Sequence, residues 1–443
     1  MSALAAAGGW SVAHVPGEGA VTLGPRETLA PMLAQGSLMA EFCLIRGAQG
    51  ALPLVQLTRQ GEAPRSLSIG LDPEGHLQVI QRRGADFHAI SLDASAEVAQ
   101  GGRMRMSWRW DALRGESLLT LEALGTGQIR QRAGRHPLPM PREDLRALGE
   151  GAAQVRFGPC LDWIALGDHL QPVGPAACFA PATPIETPAG PRPAGSLRAG
   201  DLVETVDAGP QPVLWSGRVS LPALGGLRPV RLCPPGFGET RDLWLLAQHR
   251  LALSGPTVEY LFGQEEVLIA AQHLVDGCHA LQPACAGVLH WHGILLAGHH
   301  LLIADGCRIE SLYAGRLARQ PALAATTALA DLARASALPA HGAPVRPVLS
   351  GYEAEMLALT RARVVWASTP AFAETATGLI EAALRRPRDR KRLARDVRAM
   401  RALLEKERPA KDLWDMKLAR GGLVDVEFAA QFLQLAHAAE GGP

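Results

Sequence analysis

Short runs in which apolar and polar residues alternate fill the first 172 positions, among them 38–45, 67–71, 77–80, 103–110 and 118–124. A period of two sends alternate side chains to one face, so each run predicts a strand with one face buried. Asp72-Pro73-Glu74-Gly75 and the stretch 110–115 read as turns between such strands. Recurrent short strands with turn signals predict a β-sandwich over 1–172. Trp108 and Trp110, two apart, are expected as a half-buried pair on one strand. The β pattern continues over 173–352 with more Pro and Gly, in the runs 183–187, 202–205, 213–215, 230–232, 243–246, 267–269 and 301–303. From about 353 the period changes. Leu393, Val397, Met400, Leu403 and Leu404 recur at three- and four-residue steps among charged residues, one face of an amphipathic helix. A second apolar face, Leu423, Val424, Phe428, Phe432, Leu433 and Leu435, follows Gly421-Gly422. The expected fold class is mainly β with a C-terminal α segment, in three parts: 1–172, 173–352 and 353–443.

Composition narrows the function classes. The 443 residues are 47% apolar, with 44 basic and 43 acidic side chains and a net charge of +1. That balance argues against a nucleic-acid partner. No run approaches the ~20 apolar residues of a membrane helix. The N-terminus has neither a basic start nor a long apolar core, so a cytoplasmic location is expected, with non-standard export left open. The seven cysteines are odd in number and scattered, which fits buried or reactive thiols better than a disulfide framework. Cys278 and Cys285, near His273, His279, His290 and His292, match no zinc signature, so neither a metal nor a cofactor is expected. All four lysines lie in the last 53 residues, a compositional break that marks a junction between segments.

The stretch 178–203 carries the candidate chemistry. Cys178-Phe179, then Thr183, Ile185, Thr187, Gly190, Leu197, Gly200-Asp201 and Val203, resembles the opening block of Hint domains, the fold shared by hedgehog autoprocessing domains and inteins. Gln211 to Gly217, Gln248-His249-Arg250, Glu265 to Ile269, Gln272-His273-Leu274 and His299 to Gly306 extend the likeness to a bacterial Hint-like family that often follows a β-rich domain. The first segment is distantly similar in pattern to lectin-like jelly rolls, which implies a carbohydrate or protein ligand. Trp414 to Leu418 and Gly421 to Phe428 resemble the helical region after the nucleotidyltransferase core of glutamine synthetase adenylyltransferase. That likeness begins where the Hint-like one ends, around 350–359, and implies glutamine synthetase as partner through the tail alone.

The Hint resemblance implies that Cys178 attacks the carbonyl of Ala177, replacing a peptide by a thioester. Free cysteine ionises near ~8.5, so the thiol needs a base and the departing nitrogen needs a proton. His249 stands at the histidine of the family's Thr-x-x-His pair, and Leu246 at the threonine, where it can neither donate nor accept. An outside nucleophile (water, an amine or a lipid) then opens the thioester, with Asp305 or His300 as candidate activators. Inteins finish on a His-Asn pair; here Glu310-Ser311 stands at those positions and the chain has no Asn, which excludes splicing. Cleavage before Cys178 is the expected activity, and a decayed Hint scaffold acting as a binding module is the alternative. In the tail no Asp-x-Asp occurs to hold the metals of nucleotidyl transfer, so an inactive fragment is expected, with Asp425 and Glu427 capping or packing a helix.

Overall fold

The computed structural model describes residues 9–24, 31–61, 64–174, 179–285, 287–315, 317–368, 389–410, 412 and 415–437, with side chains through 362 in the helix that ends at 368. By packing, the chain forms two compact units, 1–358 and 359–443.

The first unit opens with two antiparallel sheets. One has seven strands in the order Gln128–Arg135, Glu116–Ala123, Gly102–Asp111, Gln35–Leu44, Leu161–Gly167, Trp10–Val15 and Gly19–Thr22. The other has five, ordered Val155–Phe157, Leu52–Arg59, Arg65–Leu71, His76–Arg83 and Asp86–Asp93. Their inward faces close one core around Leu38, Phe42, Leu54, Ile69, Val79, Met106 and Leu119. Trp108 and Trp110 stack at 4.7 Å and are wholly buried rather than half-buried. The reason is the facing sheet: both indoles lie in the core between the two sheets of the sandwich, while Arg105 and Ser107, at the alternate positions of the same central strand, are buried as well. A sheet covered on both faces loses the exposure that simple alternation predicts.

A second β-fold follows in the same unit. Seven strands run Glu266–Ala270, Arg250–Ser254, Cys307–Glu310, Leu301–Ala304, Leu202–Thr205, Gly209–Pro222 and Val288–Leu296, beside a sheet of Leu243–Leu246, Pro229–Leu232 and Ala280–Leu281. Of the alternating run 183–187 only Pro184–Ile185 pairs as a strand, with Arg192–Pro193. Core residues Phe179, Val203, Val230, Leu245, Ile269, Ile294 and Ile309 fill the space between. The helix Gly351–Ser368 starts on this core through Ala354 and Leu357, and Ser350 and Glu353 exchange a capping box: the Glu353 N–H donates to Ser350 Oγ (3.4 Å), and the Ser350 N–H to Glu353 Oε2 (2.8 Å).

The two folds share a third core. The sandwich contributes Trp10, Ala13, Leu23, Met39, Trp163 and Ala165; the second fold contributes Val219, Leu221, Leu224, Leu227, Leu246 and Trp291. At its edge Glu41 is wholly buried. Arg105 donates to it from Nε (3.0 Å) and a terminal nitrogen (2.7 Å), Trp163 Nε1–H at 3.1 Å, and the Gly226 N–H at 2.7 Å. Gly225 has φ +48°, and a Cβ there would stand 2.1 Å from Trp163 Nε1 and 2.2 Å from Glu41 Oε2, so only glycine lets the carboxylate reach this backbone.

The second unit holds Arg390–Glu407 and Leu423–His437. Asp389 caps the first helix by accepting from the N–H groups of Lys391 and Arg392. Asp425 accepts from the Gly421 N–H and pairs with Arg401, which also reaches the Leu418 carbonyl. Residues 382–384 and Trp414 lie outside the described residues.

Candidate functional site

Leu246-Ala247-Gln248-His249 is a tight turn joining Leu243–Leu246 to Arg250–Ser254, closed by the His249 N–H donating to the Leu246 carbonyl at 2.9 Å. A turn of this kind brings its first and fourth residues together, which is why a spacing of three matters here. The turn is fixed from behind: the Ala271 N–H donates to the His249 carbonyl and the Gln272 N–H to the Ala247 carbonyl, both at 2.8 Å.

His249 is buried, and its ring meets the edge of Phe179 with centroids 4.6 Å apart. Nε2 lies 3.0 Å from the Glu310 carbonyl oxygen, which can only accept. The Nε2 nitrogen therefore carries a proton, and in the neutral ring Nδ1 is the basic nitrogen. Phe179 is itself fixed between two strands. Its N–H donates to the His292 carbonyl (2.9 Å) and its carbonyl accepts from the His292 N–H (2.8 Å), while the Ala180 N–H reaches the Trp244 carbonyl. Cys178, one peptide bond before Phe179, lies outside the described residues.

Glu310, at the end of Cys307–Glu310, organises the neighbourhood. Its Oε1 accepts from Arg250 Nε at 2.7 Å, and its Oε2 lies 3.2 Å from His299 Nε2, a close electrostatic contact outside hydrogen-bond alignment. His299 Nδ1 accepts from the Val345 N–H at 3.0 Å, which places the proton of the neutral ring on the nitrogen facing Glu310. Burial alone pushes the Glu310 carboxyl up, but His299, Arg250 and His249 hold it below the usual carboxylate range. Behind His299 stand Tyr313 and His341, at centroid distances of 5.0 and 6.0 Å. His341 accepts from the Ala314 N–H on Nδ1 and donates to the Leu296 carbonyl from Nε2.

Gln248, His249, Arg250, Glu310, Ser311 and Tyr313 line a cleft of about 1090 Å³ together with Glu122 and residues 126–130 of the sandwich, the end of a hairpin turn and the start of Gln128–Arg135. The His300 backbone sits at this end, donating to Ser311 Oγ (3.1 Å) and accepting from the Ser311 N–H (2.8 Å). Asp305 sits at the other end of its hairpin. With Gly306 it forms the turn between Leu301–Ala304 and Cys307–Glu310, both at positive φ. The four-residue strand Cys307–Glu310, roughly 13 Å at ~3.3 Å per residue, carries the chain from this turn to Glu310. Its carboxylate accepts from the Thr240 N–H and hydroxyl, both at 2.8 Å, and from the Arg241 N–H at 3.0 Å. Burial raises this carboxyl, but those donors hold it below its ordinary value. The structure thus brings His249 and His300 toward one end and places Asp305 at the other.

Sequence reasoning missed Glu310, Arg250, His299 and Tyr313 as one cluster. In the sequence Glu310 stands out only as the residue at the position of the intein histidine, and Arg250 only as the neighbour of His249. Leu246 belongs to the core shared by the two folds, beside Trp163 and Trp291, so its apolar side chain serves packing.

Residues 177–316 match the family model described as the Hint domain, and the second β-fold is a Hint fold. An 89-residue segment, 20% of this chain, is 68% identical to the bifunctional glutamine synthetase adenylyltransferase/adenylyl-removing enzyme of Caulobacter vibrioides and covers 9% of that enzyme. A Bradyrhizobium relative of the same name is 55% identical over 85 residues, 19% of this chain and 8% of its own length. The chain therefore spans less than a tenth of the length of the curated relatives it matches. Among solved structures, the MchDnaB-1 intein is 17% identical with a TM-score of 0.21, covering 30% of this chain and 99% of its own. The CBM40 domain of a Ruminococcus gnavus sialidase, bound to α2,6-sialyllactose, is 9% identical with a TM-score of 0.20, covering 30% and 76%. At such scores neither likeness bears on ligand or chemistry.

Proposed function

We propose that the chain cleaves itself before Cys178 through a cysteine thioester, without splicing. The observation that carries this reading is the placement of His249: buried, edge-on to the residue after Cys178, with Nε2 held by the Glu310 carbonyl at the wall of a cleft. In this scheme Nδ1 of His249 takes the Cys178 thiol proton as Sγ attacks the carbonyl carbon of Ala177. The same proton passes to the nitrogen of Cys178 as the peptide C–N bond breaks, leaving a thioester and a free amine. Water entering by the cleft then adds to the thioester, the C–S bond breaks, and the products are a carboxylate on Ala177 and the regenerated thiol. Glu310, paired with Arg250, fixes the strand end whose carbonyl orients the imidazole. The reaction runs slowly, because Leu246 leaves the oxyanion without the threonine hydroxyl; loss of one such donor costs on the order of 10²–10³ in rate. Intact-mass spectrometry of the purified protein tests the scheme: two fragments meeting at Ala177/Cys178 in the wild type and none in Cys178→Ala. An uncut wild type after prolonged incubation refutes it.

Leu246 in the shared core also favours a second reading, a Hint fold retained as a non-enzymatic binding scaffold. Slow, unselective alkylation of Cys178 by iodoacetamide supports that reading, and rapid selective labelling opposes it. For the tail we propose no nucleotidyl transfer: Asp425 is committed to Arg401 and the Gly421 N–H. Incubation with ATP, Mg²⁺ and glutamine synthetase should give no adenylylation, and robust transfer would overturn this.

A further inference from the structure

We infer that cutting before Cys178 does not release the sandwich: the two pieces remain one folded particle, held by a non-covalent interface. This rests on the self-cleavage reading for its setting but not for its test.

The interface has the character of a protein core. Six buried apolar residues from each side make one continuous cluster, with Trp10 and Trp163 on the sandwich and Trp291 on the Hint fold. Interfaces of that apolar, aromatic kind belong to permanent associations. Aromatic anchors in fully desolvated pockets carry most of the energy of such contacts.

Hydrogen bonds also cross the junction and would be broken by separation. The carboxylate of Glu41, wholly buried, accepts the Gly226 N–H at 2.7 Å from the opposite fold. Separation would strip that donor from a carboxylate that also holds Arg105 and Trp163. Trp10 Nε1–H donates to the Ser220 carbonyl at 3.0 Å, Gln131 Nε2 to Thr326 Oγ1 at 3.0 Å, and Arg109 to the Thr326 carbonyl at 3.2 Å. The end of the sandwich piece is pinned as well, by the Val173 N–H donating to the Thr326 carbonyl at 3.0 Å. None of these contacts involves the peptide that is cut.

The consequence is a change of covalent state without release. The cleft keeps both walls after cleavage, because residues 126–130 of the sandwich stay on it with His249. The new C-terminus also stays beside the Hint fold instead of diffusing away.

The test uses the full chain carrying Cys178→Ala, so that self-cleavage contributes nothing. A site-specific protease sequence, flanked by long Gly/Ser arms for access, is inserted between Ala176 and Ala177 and cut to completion. The expected result is two bands on a denaturing gel and a single native size-exclusion peak at the elution volume of the uncut chain. Two native peaks, each holding one piece, would overturn the inference whether or not Cys178 is active. In the cut protein, Glu41→Ala should release the sandwich at a lower urea concentration than its parent does. An unchanged release point would remove Glu41 from the interface argument.

Discussion

Replacing Leu246 by threonine sets two effects of the same side chain against each other. Leu246 is 3% exposed in the core shared by the sandwich and the Hint fold. Truncating a buried leucine to alanine costs ~2–5 kcal/mol, and threonine keeps part of the lost volume, so the packing loss is ~2–3 kcal/mol. Burying a hydroxyl adds roughly 1–3 kcal/mol unless it finds a partner. The sum, ~3–6 kcal/mol, lies at the low end of the ~5–15 kcal/mol of a typical domain, so the variant should still fold, with a melting temperature lower by about 6–20 °C. The new hydroxyl stands three residues from His249 in the turn closed by the 2.9 Å bond to the Leu246 carbonyl. If it reaches the oxyanion, cleavage before Cys178 should quicken by about 10²–10³. The assay is a time course of intact mass at 25 °C beside a thermal melt. A folded variant that cleaves no faster than wild type would refute the view that the missing hydroxyl limits the reaction.

Other consequences are equally concrete. Glu41→Ala leaves Arg105 short of a buried partner and the Gly226 N–H without an acceptor; breaking a buried pair typically costs ~3–5 kcal/mol, so thermal melting should fall sharply and Glu41→Gln should fall less. His249→Ala should lower the cleavage rate by roughly 10²–10⁴ with only a modest loss of stability, and an unchanged rate would remove His249 from the proton transfers. Burial pushes the imidazoles of His88 and His341 below their usual 6.5, with His136 opposing charge on the first and His299 and His300 on the second. The unfolded chain therefore binds more protons below that pH, so stability is complete above about 6.5 and falls as pH drops through the folded values. Urea melts between pH 7.5 and 5 should show this slope, and His341→Gln should flatten it.

Much of the fold was legible because period-two alternation reports directly on strands. The runs 38–45, 103–110 and 243–246 reappear as Gln35–Leu44, Gly102–Asp111 and Leu243–Leu246. The helical faces after Leu393 and Leu423 reappear likewise, as Arg390–Glu407 and Leu423–His437. Contacts between distant segments were not legible. Glu41 reads as the polar position of an alternating strand, and only the fold brings Gly226, 185 residues away, to its carboxylate. The same holds for Arg105 and Ser107, the polar positions of their strand, since alternation cannot announce that the outer face of a sheet is also covered. His249 was visible through its motif spacing. Its orienting partner is a backbone carbonyl, which every residue has and no sequence signal marks.

Hydroxylamine trapping of a thioester at Cys178 probes the central claim most directly. Wild-type protein incubated with hydroxylamine should yield an N-terminal fragment ending in a hydroxamate at Ala177, and Cys178→Ala should yield none. An intact wild type, or the same fragment from both proteins, would contradict cysteine-dependent self-cleavage.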